Sequence, residues 1–276
     1  MNRAFFIATG AHARLDLEER KALFGNMSLI VCTPEIGDTY ILAIREAAAP
    51  GARILAYDCS LMWQAMTFKS PYWQAKQAAV NPTVYPEALS PPYPYPFYRL
   101  DAHTAHRLAD FHVAVTMDKG VRGHDGFDGL YFDLHNHRMA EQKYAILREA
   151  IGARKAKEFH LDWTEGKLVL TSILRQRLGP DVILIANTGG GSVDPALNGI
   201  TLEGVGDRFS AVSSLGMFMA HRMNNPHEPI GVCWKTTMAS EATSDSLASI
   251  PWIYTGTMHQ DEDEEPVEEA PTPVKE

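Results

Sequence analysis

Basic charge, paired cysteines and long apolar runs are all scarce in this chain of 276 residues. Each scarcity removes a class of function. Lysine and arginine number 25 against 34 acids, for a net charge of −9. No basic stripe is available to neutralise phosphates, which argues against nucleic acid as a partner. The cysteines, Cys32, Cys59 and Cys233, are odd in number and far apart, with no C-x-x-C spacing. They read as buried thiols and not as a disulfide framework or a zinc site. No apolar run approaches the roughly 18 residues a membrane span needs. The apolar stretch before Ala8 is too short for the core of a signal peptide. A cytoplasmic protein with no membrane partner is therefore expected.

What is present is a regular alternation of apolar runs and amphipathic stretches. Strands are predicted at Ala4–Thr9, Ser28–Thr33, Arg53–Asp58, Gly126–Asp133, Val182–Asn187, Gly199–Glu203, Pro229–Trp234 and Pro251–Thr255. Helical stretches separate most of them, among them Asp16–Phe24, Asp38–Ala49, Asp101–Val121, Arg138–Ala153, Lys157–Leu178 and Arg208–Met223. Continuous apolar runs bounded by turns suit parallel strands covered on both faces. Eight such units in about 250 residues point to a single-domain (β/α)8 TIM barrel, an α/β fold, over residues 1–258. A long excursion rich in aromatics and proline follows the third strand, from Ser60 to Arg99. From residue 259 to 276 the chain carries eight acids and one lysine, which accounts for most of the net charge. Such a segment buries too little apolar area to offset its ordering entropy, so a disordered acidic tail is expected.

In a parallel barrel, chemistry sits where the strands end. Asp58, Asp133, Asn187, Glu203 and Trp234 all close predicted strands. A charged side chain closing a buried strand is costly unless it opens into a polar cleft. Two acids, Asp133 and Glu203, supply what glycosidic hydrolysis requires, one group to protonate the leaving oxygen and one to assist attack. Glu203 is assigned as acid and Asp133 as nucleophile or base. Asn187 is placed to bind a sugar hydroxyl or orient a carboxylate. Tyr57, Asp58, Trp63, His135 and Trp234 complete the expected carbohydrate-binding set. The loop Asn187-Thr188-Gly189-Gly190-Gly191 lacks the following Lys-Ser/Thr of a phosphate-binding loop.

The phrases GFDGLYFD, VILIANTGGG and LNGITLEG occur in that order over residues 126–204. They resemble those of glycoside-hydrolase TIM barrels, nearest in style the endo-α-1,4-polygalactosaminidase-like barrels, which carry a G-[FY]-D-G-hydrophobic-D motif. The resemblance implies a poly- or oligosaccharide substrate, no cofactor, Asp133 and Glu203 as catalytic carboxylates, and Asn187 as the strand-five asparagine. The chain departs from the pattern in the Leu134-His135-Asn136-His137 that follows Asp133 and in its short last two units.

Two other functions fit the residues. Asp133, His135 and His137, spaced by two, suit a divalent metal on an extended segment, which would make the protein a metal-dependent hydrolase. A barrel of this kind also serves as a non-catalytic carbohydrate-binding or structural module, with the aromatic excursion as its contact surface.

Overall fold

The computed structural model describes residues 3–35, 38–66, 70–89, 95–118, 126–136, 138–188, 194–203, 208–224, 230–235 and 253–257, with 227, 247, 250 and 251. The expected acidic tail lies outside these, as does His137.

Eight parallel strands form the barrel. They are β1 (Ala4–Ala8), β2 (Leu29–Cys32), β3 (Arg53–Cys59), β6 (Gly129–Asp133), β7 (Ile183–Ala186), β8 (Gly199–Glu203), β9 (Ile230–Lys235) and β10 (Ile253–Thr257), hydrogen-bonded in that order. A parallel bridge from Arg3 to Thr255 closes the ring. Two further strands, β4 (Val84–Leu89) and β5 (Pro96–Tyr98), lie between β3 and β6 in sequence and form an antiparallel hairpin outside the barrel. The chain is thus a (β/α)8 barrel. The eighth strand starts two residues later than the apolar run suggests.

Helices alternate with the strands. After β1 come α1 (Gly10–Arg14) and α2 (Leu17–Phe24), the latter opened by a capping box between Asp16 and Glu19. Reciprocal bonds of this kind satisfy two amides left free at a helix start. Helix α3 (Asp38–Ala47) follows β2. The excursion after β3 has order of its own, with α4 (Pro71–Val80), the hairpin and α5 (Ala102–Phe111). Pro71 sits in the first turn of α4, where its missing N–H costs nothing. After β6 run α6 (Glu141–Ile151) and the long α7 (Ala153–Leu178), and α8 (Arg208–Asn224) follows β8. Gly152 separates α6 from α7 at φ +83°, a backbone conformation that suits glycine. Among the described residues, no helix is long and apolar enough to cross a membrane.

Where α7 crosses the start of α5 the backbones nearly touch. A Cβ on Gly166 would lie 1.8 Å from the Leu100 carbonyl oxygen, so only glycine fits. The connection from β7 to β8 has no helix among its described residues, and Arg175 of α7 staples it instead. Its guanidinium donates to the carbonyls of Ala196, Gly179 and Val182 at 2.8–2.9 Å and to the Asn198 amide oxygen. That amide oxygen also accepts the Leu184 N–H at 2.8 Å, which ties the staple to β7.

Alternation along the strands sorts side chains between barrel interior and helix layer. Phe6, Tyr57 and Tyr131 point inward and meet as a layer of rings, with Phe6 and Tyr131 centroids 5.2 Å apart and Tyr57 stacked on Tyr131 at 6.2 Å. Thr201 donates its hydroxyl to Tyr131 Oη at 3.0 Å. Burying each ring contributes about 1.5–3 kcal/mol. The layer forms a floor, and the inward residues two positions later on β6 and β8 stand above it. Those residues are Asp133 and Glu203.

Candidate active site

Asp133, Asn187 and Glu203 converge at the C-terminal mouth of the barrel. Asn187 follows β7 directly and is 6% exposed. Its Nδ2 donates to Asp133 Oδ1 at 3.1 Å and to Glu203 Oε1 at 2.7 Å, so one amide bridges both carboxylates. The two oxygens facing that nitrogen are therefore within about 6 Å of each other, near the spacing of paired glycosidase carboxylates.

Asp133 is held by three donors. Tyr57 Oη donates to Oδ2 at 3.0 Å, and the Leu134 N–H joins Asn187 on Oδ1 at 2.7 Å. Leu134 adopts φ +49°, a left-handed conformation rare for a branched side chain. This residue breaks the strand's alternation immediately after Asp133.

Glu203 is open to solvent at the rim, yet protein crowds its carboxyl on the barrel side. That burial, reinforced by the negative Asp133 beside it, raises its pKa above the ordinary glutamate value, against a smaller opposing pull from the Asn187 hydrogen bond. Burial and the neighbouring Asp133 also push the Tyr57 phenol well up, so it remains a donor across the working pH range.

The other expected binding residues are dispersed. Asp58 closes the same strand as Tyr57 but faces the opposite way, into the helix layer, and is 2% exposed. Its Oδ1 accepts Lys76 Nζ at 2.5 Å and its Oδ2 accepts His112 Nε2 at 2.7 Å. Burial pushes Asp58 up, but Lys76 and His112 outweigh it and hold the carboxyl well below the usual carboxylate range. The expectation that Asp58 binds sugar is corrected: it neutralises a buried lysine. Trp63, also expected at the cleft, is 1% exposed and is packed against the Lys76 ammonium, 5.1 Å from its ring centroid. Trp73 flanks the same ammonium at 5.1 Å. The Trp234 backbone pairs in register with Glu203, but its side chain lies outside the described residues.

His135 turns into the helix layer as well, because Leu134 has shifted the phase of the chain. It is 1% exposed, shares a 2.8 Å hydrogen bond with Ser60 Oγ through Nδ1, and has Nε2 3.8 Å from Asp194 Oδ2. The last distance is too long for a hydrogen bond. Its side chain does not line the cleft beside Asp133, contrary to both the sugar-binding and the metal-ligand expectations for it. Among the described residues, no group of three or more His, Cys, Asp or Glu is disposed to hold a metal ion. Ser60, His135 and Asp194 have the composition of a nucleophile–base–acid chain, but Ser60 is 1% exposed and no acyl substrate reaches it.

Several buried polar residues escaped the sequence reading, chief among them Lys76, His112, Lys167 and Asp194. Lys167 had a visible signal. Phe159, Trp163, Lys167, Leu170 and Leu174 recur at helical spacing along α7 and share its buried stripe. A lysine on such a stripe needs partners within the protein.

Neither a family model nor a curated protein matches the chain.

Proposed function

We propose that this protein is a glycoside hydrolase that cleaves an oligo- or polysaccharide with Asp133 and Glu203, retaining the anomeric configuration. The observation that carries the reading is the Asn187 amide shared between the two carboxylates. Retaining enzymes hold their carboxyl groups about 5–5.5 Å apart, whereas inverting enzymes leave 6.5–9.5 Å for a water. A single amide nitrogen reaching both supports the shorter class.

Roles follow from the surroundings of each group. Glu203, with its raised pKa and its place at the rim, enters as the acid. Asp133, oriented by three donors, attacks the anomeric carbon. As the Asp133–carbon bond forms, the glycosidic C–O bond breaks and the leaving oxygen takes the Glu203 proton. Glu203, now a carboxylate, then takes a proton from water, whose oxygen displaces Asp133 from the same carbon. Asn187 stays bonded through both steps and keeps the pair in register.

The test is release of reducing ends from a glycan panel by the wild type, Asp133→Asn and Glu203→Gln, with the product anomer read by NMR. Both variants are expected to lose at least about 1000-fold in turnover. Unchanged turnover in either variant overturns the proposal. An inverted product overturns its retaining part, and binding without cleavage by the wild type favours the non-catalytic module.

A further inference from the structure

Lys167 is a buried amine, 3% exposed, on the buried stripe of α7. Its Nζ donates to the Asn136 carbonyl and lies 3.5 Å from the centroid of the Trp163 ring. Trp163, one turn earlier, donates its Nε1–H to the Ser60 carbonyl at 2.8 Å. Ser60 in turn donates its N–H to the Asp133 carbonyl at 3.0 Å and shares a hydrogen bond with the His135 ring. The His135 N–H donates to the Asn187 carbonyl at 2.8 Å. Two neighbouring turns of one helix therefore reach the segment 133–136, Lys167 directly at Asn136 and Trp163 by way of Ser60, and the segment in turn bonds Asn187 through His135.

The gripped segment is the strained one. Leu134 in the left-handed region persists only where its surroundings over-determine it. Its left-handed turn redirects the next amide, so that the His135 N–H meets the Asn187 carbonyl. A methionine would fill the space of Lys167 without the cost of burying a cation. That cost is visible, since burial pushes the amine down to about 7 against the opposing pull of Asp194. What methionine lacks is a donor for the Asn136 carbonyl.

We infer that Lys167 is a positioning residue for the carboxylate pair: through the Asn136 carbonyl it holds the Asp133–Asn136 turn in the left-handed geometry that places the His135 N–H on the Asn187 carbonyl, and so fixes the residue whose amide bridges Asp133 and Glu203. The inference rests on the reading of Asp133 as nucleophile for its catalytic consequence, but its structural part stands on the turn alone.

The test therefore has an arm that needs no substrate. In the wild type, the His135 amide is expected to exchange its hydrogen within about tenfold of the Phe132 strand amide. Exchange at the rate of an open loop overturns the inference with no variant needed. K167M is expected to speed His135 exchange at least about tenfold beyond L170A, a cavity variant on the same helix that serves as the stability control. Equal exchange in the two variants overturns it. Glycine adopts the left-handed conformation freely. In an L134G background, K167M is accordingly expected to change exchange at His135 less than about threefold, and an undiminished effect overturns the inference. In the second arm, on a glycan the wild type cleaves, K167M lowers kcat about 10–100-fold with KM nearly unchanged. A change confined to KM overturns the positioning role. If no glycan is cleaved by the wild type, the hydrolase reading fails while the exchange arm still decides the clamp.

Discussion

Tyr57 and Asp133, on adjacent strands of the barrel, share a 3.0 Å hydrogen bond in which the phenol is the donor. The same ring stacks on Tyr131 within the aromatic layer beneath the carboxylate. One side chain thus serves both as floor and as ligand to the proposed nucleophile. Tyr57→Phe separates the two duties, because the ring stays and only the donor leaves. Losing a hydrogen bond to a charged group costs about 1.5–3 kcal/mol. Turnover is expected to fall about 10–100-fold with little change in thermal midpoint, as read by steady-state kinetics beside calorimetry. A large fall in the midpoint with intact turnover would contradict this division.

The pKa of Glu203 is expected to respond in opposite directions to its two neighbours. Asp133→Asn removes a negative charge and moves it down, whereas Asn187→Leu removes a hydrogen bond to the charged form and moves it up. Carbon-13 NMR titration of the Glu203 carboxyl measures both shifts without a substrate. If Glu203 is the acid, the alkaline limb of kcat/KM in the wild type follows its titration and lies above the ordinary glutamate range.

Acid is expected to destabilise the fold in two stages. Burial lowers the pKa of His112, His135 and His221, so the unfolded chain binds more protons than the native one below about pH 6.5, and stability falls as pH drops. Asp58 and Asp194 also titrate below their unfolded values, so their contribution, present above about pH 4, is lost on further acidification. Lys167 acts on the other side of neutrality. Its amine is lowered to about 7, so stability rises with pH from there toward the usual lysine value. Urea unfolding between pH 3 and 10 measures this profile, and a flat curve from pH 7 to 5 would contradict the histidine part.

Asp58→Asn is expected to cost stability and spare catalysis. Removing one partner of a buried ion pair leaves the other charge uncompensated, at a cost of about 3–5 kcal/mol. Lys76 is 2% exposed between two tryptophans, so its ammonium is screened from water. Denaturant midpoints should fall sharply while kcat/KM of the folded variant stays near that of the wild type. A selective loss of kcat/KM would return Asp58 to the cleft.

The barrel was legible because its strands are unbroken apolar runs such as LIVC and ILIA, and such runs need cover on both faces. Asp133 and Glu203 were legible as strand-end charges. Which way a strand-end residue faces was harder to read. Asp58 lies one residue from the inward-facing Tyr57, and β3 runs on to Cys59, so a single step of the pleat turns the carboxylate toward the helices. His135 was misread for a related reason. Two residues after Asp133 it should have shared that side of the strand, but the left-handed Leu134 resets the alternation. The place of Lys167 on a buried stripe was legible, but its partner was hidden by long-range packing, since that carbonyl lies 31 residues away.

The bridge between Arg3 and Thr255 joins the first barrel strand to the last. During synthesis, β1 leaves the ribosome long before β10 exists, by roughly 10–50 s at ordinary elongation rates. Throughout that interval β1 has β2 on one side and an unpaired edge on the other. Such an edge invites strand pairing with other chains. Barrel closure thus waits for β10, and yield in a cell will depend on how long that edge is shielded.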